Sequence, residues 1–276
     1  MHTHASTFRV QIFDLDAYGE LHTNGMLRFM QQTASDASAA AGFDLEWYER
    51  AGTMWVIRRT IADFLAPALY RDELEVRTWV SDMRRVRSQR EYEVWRRADA
   101  TLVARASTDW VYVDLTRGSP VQPPDEMVQR LMPDVGAQPR PPRAATAAPA
   151  HAVTVARRVE LADLDSVAHV NNAHYTVYVE QALCDALAVR GWGLDPSPRA
   201  ARLRPLRHDL EYFAEAQYDN RLDATVWVTA LEGNAFGSEC TLSRNGARVL
   251  HASSRWQWSV DQLPAALHAA LRALTG

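Results

Sequence analysis

Cysteine is nearly absent from this chain: Cys184 and Cys240 are the only two among 276 residues. Two thiols are too few for a zinc ribbon or a disulfide framework, so a reducing, cytoplasmic setting is the expectation. Long apolar runs are missing as well. No stretch reaches the roughly 18 residues that a membrane span needs. The start, Met1 to Thr7, has neither the basic flank nor the apolar stretch of a secretion signal. Nor is there a surplus of positive charge, since 30 basic residues face 34 acidic ones for a net charge of −4. That balance argues against nucleic acid as a partner, although local basic patches remain compatible with it. No glycine-rich phosphate loop and no His/Cys cluster with metal spacing is present, so no metal and no other cofactor is expected. His2 and His4 read as a disordered start. What is there is an ordinary globular mixture, 47% hydrophobic and 23% charged, long enough for nearly two domains of roughly 150 residues. A core of that size needs no disulfide staples.

The clearest boundary is the stretch VGAQPRPPRAATAAPA at 135–150, where Pro139, Pro141, Pro142 and Pro149 prevent a continuous strand or helix. It separates an N-terminal domain at 1–134 from a C-terminal domain at 151–276. Halves of similar length invite a search for a repeat. Phe13-Asp14-Leu15-Asp16 matches Ala162-Asp163-Leu164-Asp165 at an offset of 149. Tyr70, Leu74 and Trp79 match Tyr218, Leu222 and Trp227 at 148, and Ala106–Trp110 matches Ala252–Trp256 at 146. Order is kept while the offset drifts slightly, which is the mark of a duplicated domain.

Both halves share one grammar. In the second, Tyr175, Tyr178, Val179, Ala182, Leu183, Ala186 and Leu187 recur at helical spacing, with Asn171 or Asn172 as a cap and Gly191 as a stop. In the first, Met26, Leu27, Met30, Ala34 and Ala37 do the same before Gly42. Strand-like runs follow at 53–64, 74–81, 90–96 and 103–114, and again at 203–213, 222–231, 236–243 and 248–260. Asn245-Gly246 marks a hairpin, because both residues tolerate positive φ. The pattern predicts an α+β architecture, one helix and a four-strand antiparallel meander twice over, with an outer helix at 262–274.

The segment Asp163-Leu164-Asp165-Ser166-Val167-Ala168-His169-Val170-Asn171-Asn172-Ala173-His174-Tyr175 resembles the signature of hotdog-fold thioesterases. Trp55-Val56-Ile57-Arg58-Arg59 and Thr78-Trp79 make the first half similar to the N-terminal hotdog of acyl-acyl-carrier-protein thioesterases. The resemblance covers residues 8–260 and implies a tandem (double) hotdog, each half a long central helix wrapped by an antiparallel sheet. It implies a thioester hydrolase that releases free fatty acid from acyl carrier protein, with coenzyme A as the alternative carrier. A non-hydrolytic acyl-binding hotdog or a dehydratase is the rival class. A homodimer of whole chains is compatible with either.

Thioester hydrolysis needs an activated water or a carboxylate nucleophile, and donors for the developing oxyanion. Asp165, six residues before the expected cap at Asn171, places a carboxylate near a helix N-terminus, where free N–H groups and the helix dipole favour negative charge. His169 is suited to orienting that carboxylate, holding water or protonating the leaving thiolate. The resemblance adds Glu215 as a third catalytic member. It also assigns substrate contacts to Val167, Asn171 and Asn172, and an acyl-tail lining to Met26, Met30 and Trp55. Two positions depart from the plant-type pattern. Val167 stands where those relatives carry asparagine, and Ala216 where they often carry cysteine, which excludes a cysteine mechanism there. Cys184 and Cys240 read as core fillers.

The first half keeps Asp16 but has Glu20 in place of the histidine and His22-Thr23 in place of the paired asparagines, so it is expected to be non-catalytic, with Asp16 acting alone, as in some hotdog enzymes, as the alternative. Glu180, aligned with Gln31, reads as a solvated helix acid, with a catalytic role, as helix acids have in some hotdog families, as the alternative. Arg84, Arg85, Arg87, Arg90, Arg96 and Arg97 form one basic cluster, and Arg199, Arg202, Arg204 and Arg207 another. Either is suited to steering an acidic carrier, although solvated strand faces and turn edges are the commoner role for such arginines.

Overall fold

The computed structural model describes residues 3–131, 147–197 and 201–275. Of the stretch read as a linker, 135–146 lies outside the described residues, as do Arg199 and His2. The chain divides into two compact units, residues 1–15 with 20–142, and residues 16–19 with 143–276.

In the first unit, β1 (His4–Arg9) precedes α1 (Thr23–Ala40), α2 (Leu45–Ala51), β2 (Thr53–Phe64), β3 (Glu73–Arg84), β4 (Arg87–Arg96), β5 (Thr101–Asp114), the two-residue β6 (Ser119–Pro120) and α3 (Asp125–Leu131). The main strand order is β1-β3-β4-β5-β2, all antiparallel, with β6 beside β5. The second unit runs β7 (Val153–Arg158), α4 (Tyr175–Val189), β8 (Leu203–Tyr212), β9 (Arg221–Glu232), β10 (Ala235–Arg244), β11 (Ala247–Trp258) and α5 (Ala265–Ala273). Its order is β7-β9-β10-β11-β8. Term by term this repeats the first, so the duplication read in the sequence is a duplication of topology.

A simple meander is not what forms. β2 pairs with β5 rather than β3, and β8 with β11 rather than β9. The connection from β2 to β3 contains Pro67 and a left-handed Arg71 (φ 68°), and Asp219 (φ 63°) takes Arg71's place in the second unit. These segments are too long for a hairpin, so the strand each leads into joins β4 or β10 instead. The vacated edge is filled by β1 and β7. His4, expected in a disordered start, is the first residue of β1 and pairs with Thr78.

The central helices bury the stripe that their spacing predicts. α4 buries Tyr175, Tyr178, Val179, Ala182, Leu183, Ala186 and Leu187, and α1 buries Met26, Leu27, Met30 and Ala34. Opposite α4 the sheet contributes Leu210, Leu222, Leu242 and Leu250, each with no exposure. Truncating one such leucine costs about 2–5 kcal/mol, because the cavity left behind relaxes only in part. Gly42 (φ 91°) and Gly191 (φ 89°) follow the two helices in the left-handed conformation that ends them. Asn245 (φ 52°) and Gly246 (φ 79°) turn β10 into β11 as expected. α5 begins after Pro264, buries Leu267, Ala270 and Leu271, and Leu274 accepts a bond from Val228 of β9. Among the described residues no helix is long and apolar enough to cross a membrane.

Candidate functional site

The signature loop of the second unit is a tight reversal. Leu164 bridges Val170, the Asp165 N–H donates to the His169 carbonyl at 2.9 Å, and Ala168 N–H donates back to the Asp165 carbonyl at 3.0 Å. Closing so short a turn requires a left-handed residue, and Ala168 takes that role with φ 62°. Asp165 Oδ1 accepts the Val167 N–H at 3.1 Å. This Asx turn orients the carboxylate. Val167, with 47% of its surface exposed, faces solvent beside it.

His169 pairs by backbone with Gln217, in the segment after β8. That pairing sets its ring beside Glu215, with Nε2 3.3 Å from Glu215 Oε2. Both groups are partly exposed, at 34% and 55%. Tyr175, the first residue of α4, is buried next to them. Burial, reinforced by the charges of Glu215 and Asp165, pushes its phenol well above the ordinary range, so it stays neutral. Glu215, Arg244 and Asp165 are all within electrostatic reach of that phenol. Tyr175 closes the motif segment in the sequence, whereas nothing in the spacing pointed to Arg244 as a neighbour of this loop.

Beneath the loop, Asp163 is a buried node. Its Oδ2 accepts the Glu160 N–H at 2.7 Å and the Tyr178 hydroxyl, and its Oδ1 lies 2.8 Å from His174 Nε2. Burial and this carboxylate raise the Tyr178 pKa. Asp163 therefore anchors the loop to α4, while Asp165 stands at its tip. The paired asparagines divide the work differently from the expectation of free helix-start amides. The Asn171 side chain accepts the Ala173 N–H at 3.0 Å, and its carbonyl accepts the His174 N–H at 2.8 Å. Those two amides are spent on the cap. The Asn172 carbonyl accepts the Tyr212 hydroxyl at 3.0 Å.

In the other copy of the motif the backbone is the same and the chemistry is not. Asp16 Oδ1 accepts the Tyr18 N–H at 2.8 Å, Leu15 bridges Leu21, and Glu20 bridges Leu69 where His169 bridges Gln217. Glu20 thus fills the histidine position with an acid. Met26 and Met30 are buried in the first unit's interior at 4% and 3% exposure, and Trp55 packs against Tyr112 with ring centroids 4.9 Å apart. Glu180 departs from its expected role as a solvated acid, since its Oε1 lies 3.1 Å from Nε2 of the fully buried His208. Cys240 is buried, Cys184 is partly so, and burial pushes both thiols up to about 12.

The first basic cluster is largely neutralised. Arg84 pairs with Asp82 at 2.8 Å, Arg96 with Asp99 at 3.1 Å and Asp72 at 3.4 Å, and Arg97 with Glu73 at 3.5 Å. Arg90 is buried. Arg85 and Arg87 remain exposed at the turn between β3 and β4.

Residues 10–131 match the sequence model of the Thioesterase-like superfamily, so the match falls on the half without the His-Val-Asn-Asn motif. No curated protein matches the chain in sequence. Among solved structures, a protein assigned as an oleoyl thioesterase from Lactobacillus plantarum is similar with a TM-score of 0.82 at 19% identity, over 94% of this chain and 97% of that one. An acyl-ACP thioesterase from Bacteroides thetaiotaomicron gives 0.73 at 18% identity, covering 92% and 98%. The 12:0-ACP thioesterase from Umbellularia californica gives 0.73 at 18%, covering 93% and 94%. The chain has the double-hotdog fold of these structures, and its first unit carries the sequence pattern of the Thioesterase-like superfamily.

Proposed function

We propose that this protein hydrolyses a fatty acyl thioester, with Asp165 as general base and His169, held by Glu215, as the proton donor to the leaving sulfur. The observation that carries the reading is the 3.3 Å approach of His169 Nε2 to Glu215 Oε2, one turn of backbone away from Asp165. The Val167 N–H holds Asp165 through Oδ1, leaving Oδ2 to take a proton from water. The water oxygen bonds to the acyl carbon, the tetrahedral oxyanion collapses, and the C–S bond breaks. The thiolate takes its proton from His169, whose ring the Glu215 carboxylate holds in place through Nε2. Asn172 and exposed Val167 border the acyl carbonyl in this reading.

The carrier in this reading is acyl carrier protein rather than coenzyme A, and it is supported by likeness over the full double hotdog to two enzymes of that specificity. Release of free thiol from acyl thioesters, followed with a thiol-reactive dye, tests the activity and separates it from an acyl-binding or dehydrating hotdog. Asp165→Ala is expected to lower kcat by about 10²–10⁴, the range that a positioned base supplies. Asp16→Ala should leave kcat within about twofold, since neither base nor acid comes from that loop. Near-normal turnover in Asp165→Ala, with Asp16→Ala inactive, would place the chemistry in the wrong half.

A further inference from the structure

The first unit holds a buried cation with little to neutralise it among the described residues. Arg90, on β4, is 8% exposed, and its one hydrogen bond among the described residues is a long one, 3.4 Å from Nη1 to the Thr78 hydroxyl. A guanidinium carries five N–H donors. Among the described residues no carboxylate acts on it. The groups within electrostatic reach are the phenols of Tyr92 and Tyr48, which burial keeps neutral. A buried charge without a counter-ion is strongly unfavourable, and buried charges are normally paired.

Arg90 also lines a cavity of about 330 Å³. That volume is at the lower end of small-molecule sites, about 300–1,000 Å³. Ala37 and Ala41 from the end of α1, Val80 from β3 and Leu131 from α3 supply apolar wall, and Thr78 adds a hydroxyl beside the guanidinium. Arg130 is at the edge but is already committed to Glu126 and to the Ala41 carbonyl. The duplicated unit is an internal control. There Ser238 occupies the place of Arg90, paired with Val228 and Ser254 as Arg90 is with Val80 and Thr108. Ser238 is satisfied by the Trp256 indole N–H at 2.8 Å, so the fold builds this position without a charge.

We propose that this cavity binds a carboxylate carrying a short apolar tail, with the carboxylate on Arg90 and the tail against Ala37, Val80 and Leu131. A single carboxylate neutralises a single guanidinium and meets its planar fork with two parallel hydrogen bonds. The site lies wholly within the first unit and does not depend on the thioesterase reading.

Calorimetric titration of the full chain with octanoate, 1-octanol and inorganic phosphate tests it. Octanoate should bind saturably, octanol at least about tenfold more weakly, and phosphate should not displace octanoate. Arg90→Met should weaken octanoate at least about tenfold while leaving octanol unchanged. Because it removes an unpaired buried charge, it should also unfold at an equal or higher temperature without ligand. Ala37→Leu, which fills the cavity and keeps the arginine, should weaken both octanoate and octanol. Asp165→Ala should bind octanoate like the wild type, which separates this site from the proposed catalytic one. Equal octanoate affinity in wild type and Arg90→Met, no saturable binding to the wild type, or loss of binding in Asp165→Ala each overturns the proposal.

Discussion

Glu180 and His208 form a line of polar groups that reaches from α4 into the sheet of the second unit. Glu180 Oε1 lies 3.1 Å from His208 Nε2, and the other ring nitrogen lies 2.8 Å from Ser254 Oγ. The first unit has Gln31, Thr60 and Thr108 at the matching places, and Thr60 pairs with Thr108 as His208 pairs with Ser254. A charge entered only one copy. Since His208 has no exposure, losing the acceptor on Nε2 leaves part of the ring without its bond. Glu180→Leu is expected to cost about 1–3 kcal/mol. Glu180→Gln, whose amide oxygen still accepts, should cost about half of that or less. Urea unfolding of the two variants measures the difference, and equal losses would mean that the pair is incidental.

Ala168 occupies the place of Gly19, and both are left-handed, with φ 62° and 83°. Glycine adopts that conformation freely, whereas a side chain there costs about 1–2 kcal/mol. Ala168→Gly should therefore raise the melting temperature, by an amount set by relieved strain less the added freedom of the unfolded chain. Ala168→Val, with a branched Cβ, should lower it. A fall in melting temperature for the glycine variant would show that contacts of the Ala168 methyl outweigh its strain.

Much of this fold is legible in the sequence because long helices and hydrophobic strands advertise their period. Tyr175 to Leu187 repeats at three and four residues, and the structure buries those same side chains. β1 and β7 escaped notice for a physical reason. They are edge strands of six residues, half exposed, and sequences such as HASTFR hold few apolar side chains to betray alternation. Strand order escaped too, since pairing of β2 with β5 is decided by the 65–72 connection and not by any pattern within the strands. At the candidate site, local motif residues were readable, and Glu215 came through the resemblance alone. Arg244 was not readable, because it reaches the loop by the packing of β10.

The buried thiols give the protein a predictable weakness to alkali. Cys184 is pushed up to about 12 by burial and then by Glu180 and Asp185, and Cys240 to about 12 by burial and then by Glu239. In the unfolded chain a thiol titrates near about 8.5. Below that value both states hold the proton, and the full stability is present. Between about 8.5 and 12 the unfolded chain releases protons that the folded chain keeps, so stability falls as pH rises. The melting temperature should decline through this window, and the double variant Cys184→Ala, Cys240→Ala should show a shallower decline. In the native protein neither thiol should react with a thiol reagent near neutral pH, because the thiolate is the reactive form. Rapid labelling of either cysteine under native conditions would contradict this.

In the carrier-protein reading, the first basic cluster has few free charges to offer. Arg84, Arg96 and Arg97 are already paired with acids of their own unit and Arg90 is buried, so recognition of an acidic carrier through this face falls to Arg85 and Arg87. Both lie at the exposed turn after β3, and Arg85 is held outward by a left-handed backbone, φ 53°. Exposed charges of this kind act on encounter more than on the bound complex, and added salt screens them over about 10 Å. The double variant Arg85→Glu, Arg87→Glu should therefore lower kcat/KM for an acyl carrier protein substrate by about tenfold at low salt, with kcat unchanged and the loss shrinking as salt is raised. On the coenzyme A ester of the same acyl group the change should be smaller, because the carrier's broad acidic surface is missing. Charge reversal at Arg84 should do less than reversal at Arg85, since Asp82 already neutralises Arg84. Equal kcat/KM on the two carriers, indifferent to Arg85 and Arg87, would leave the hydrolase reading intact and end the carrier-protein one.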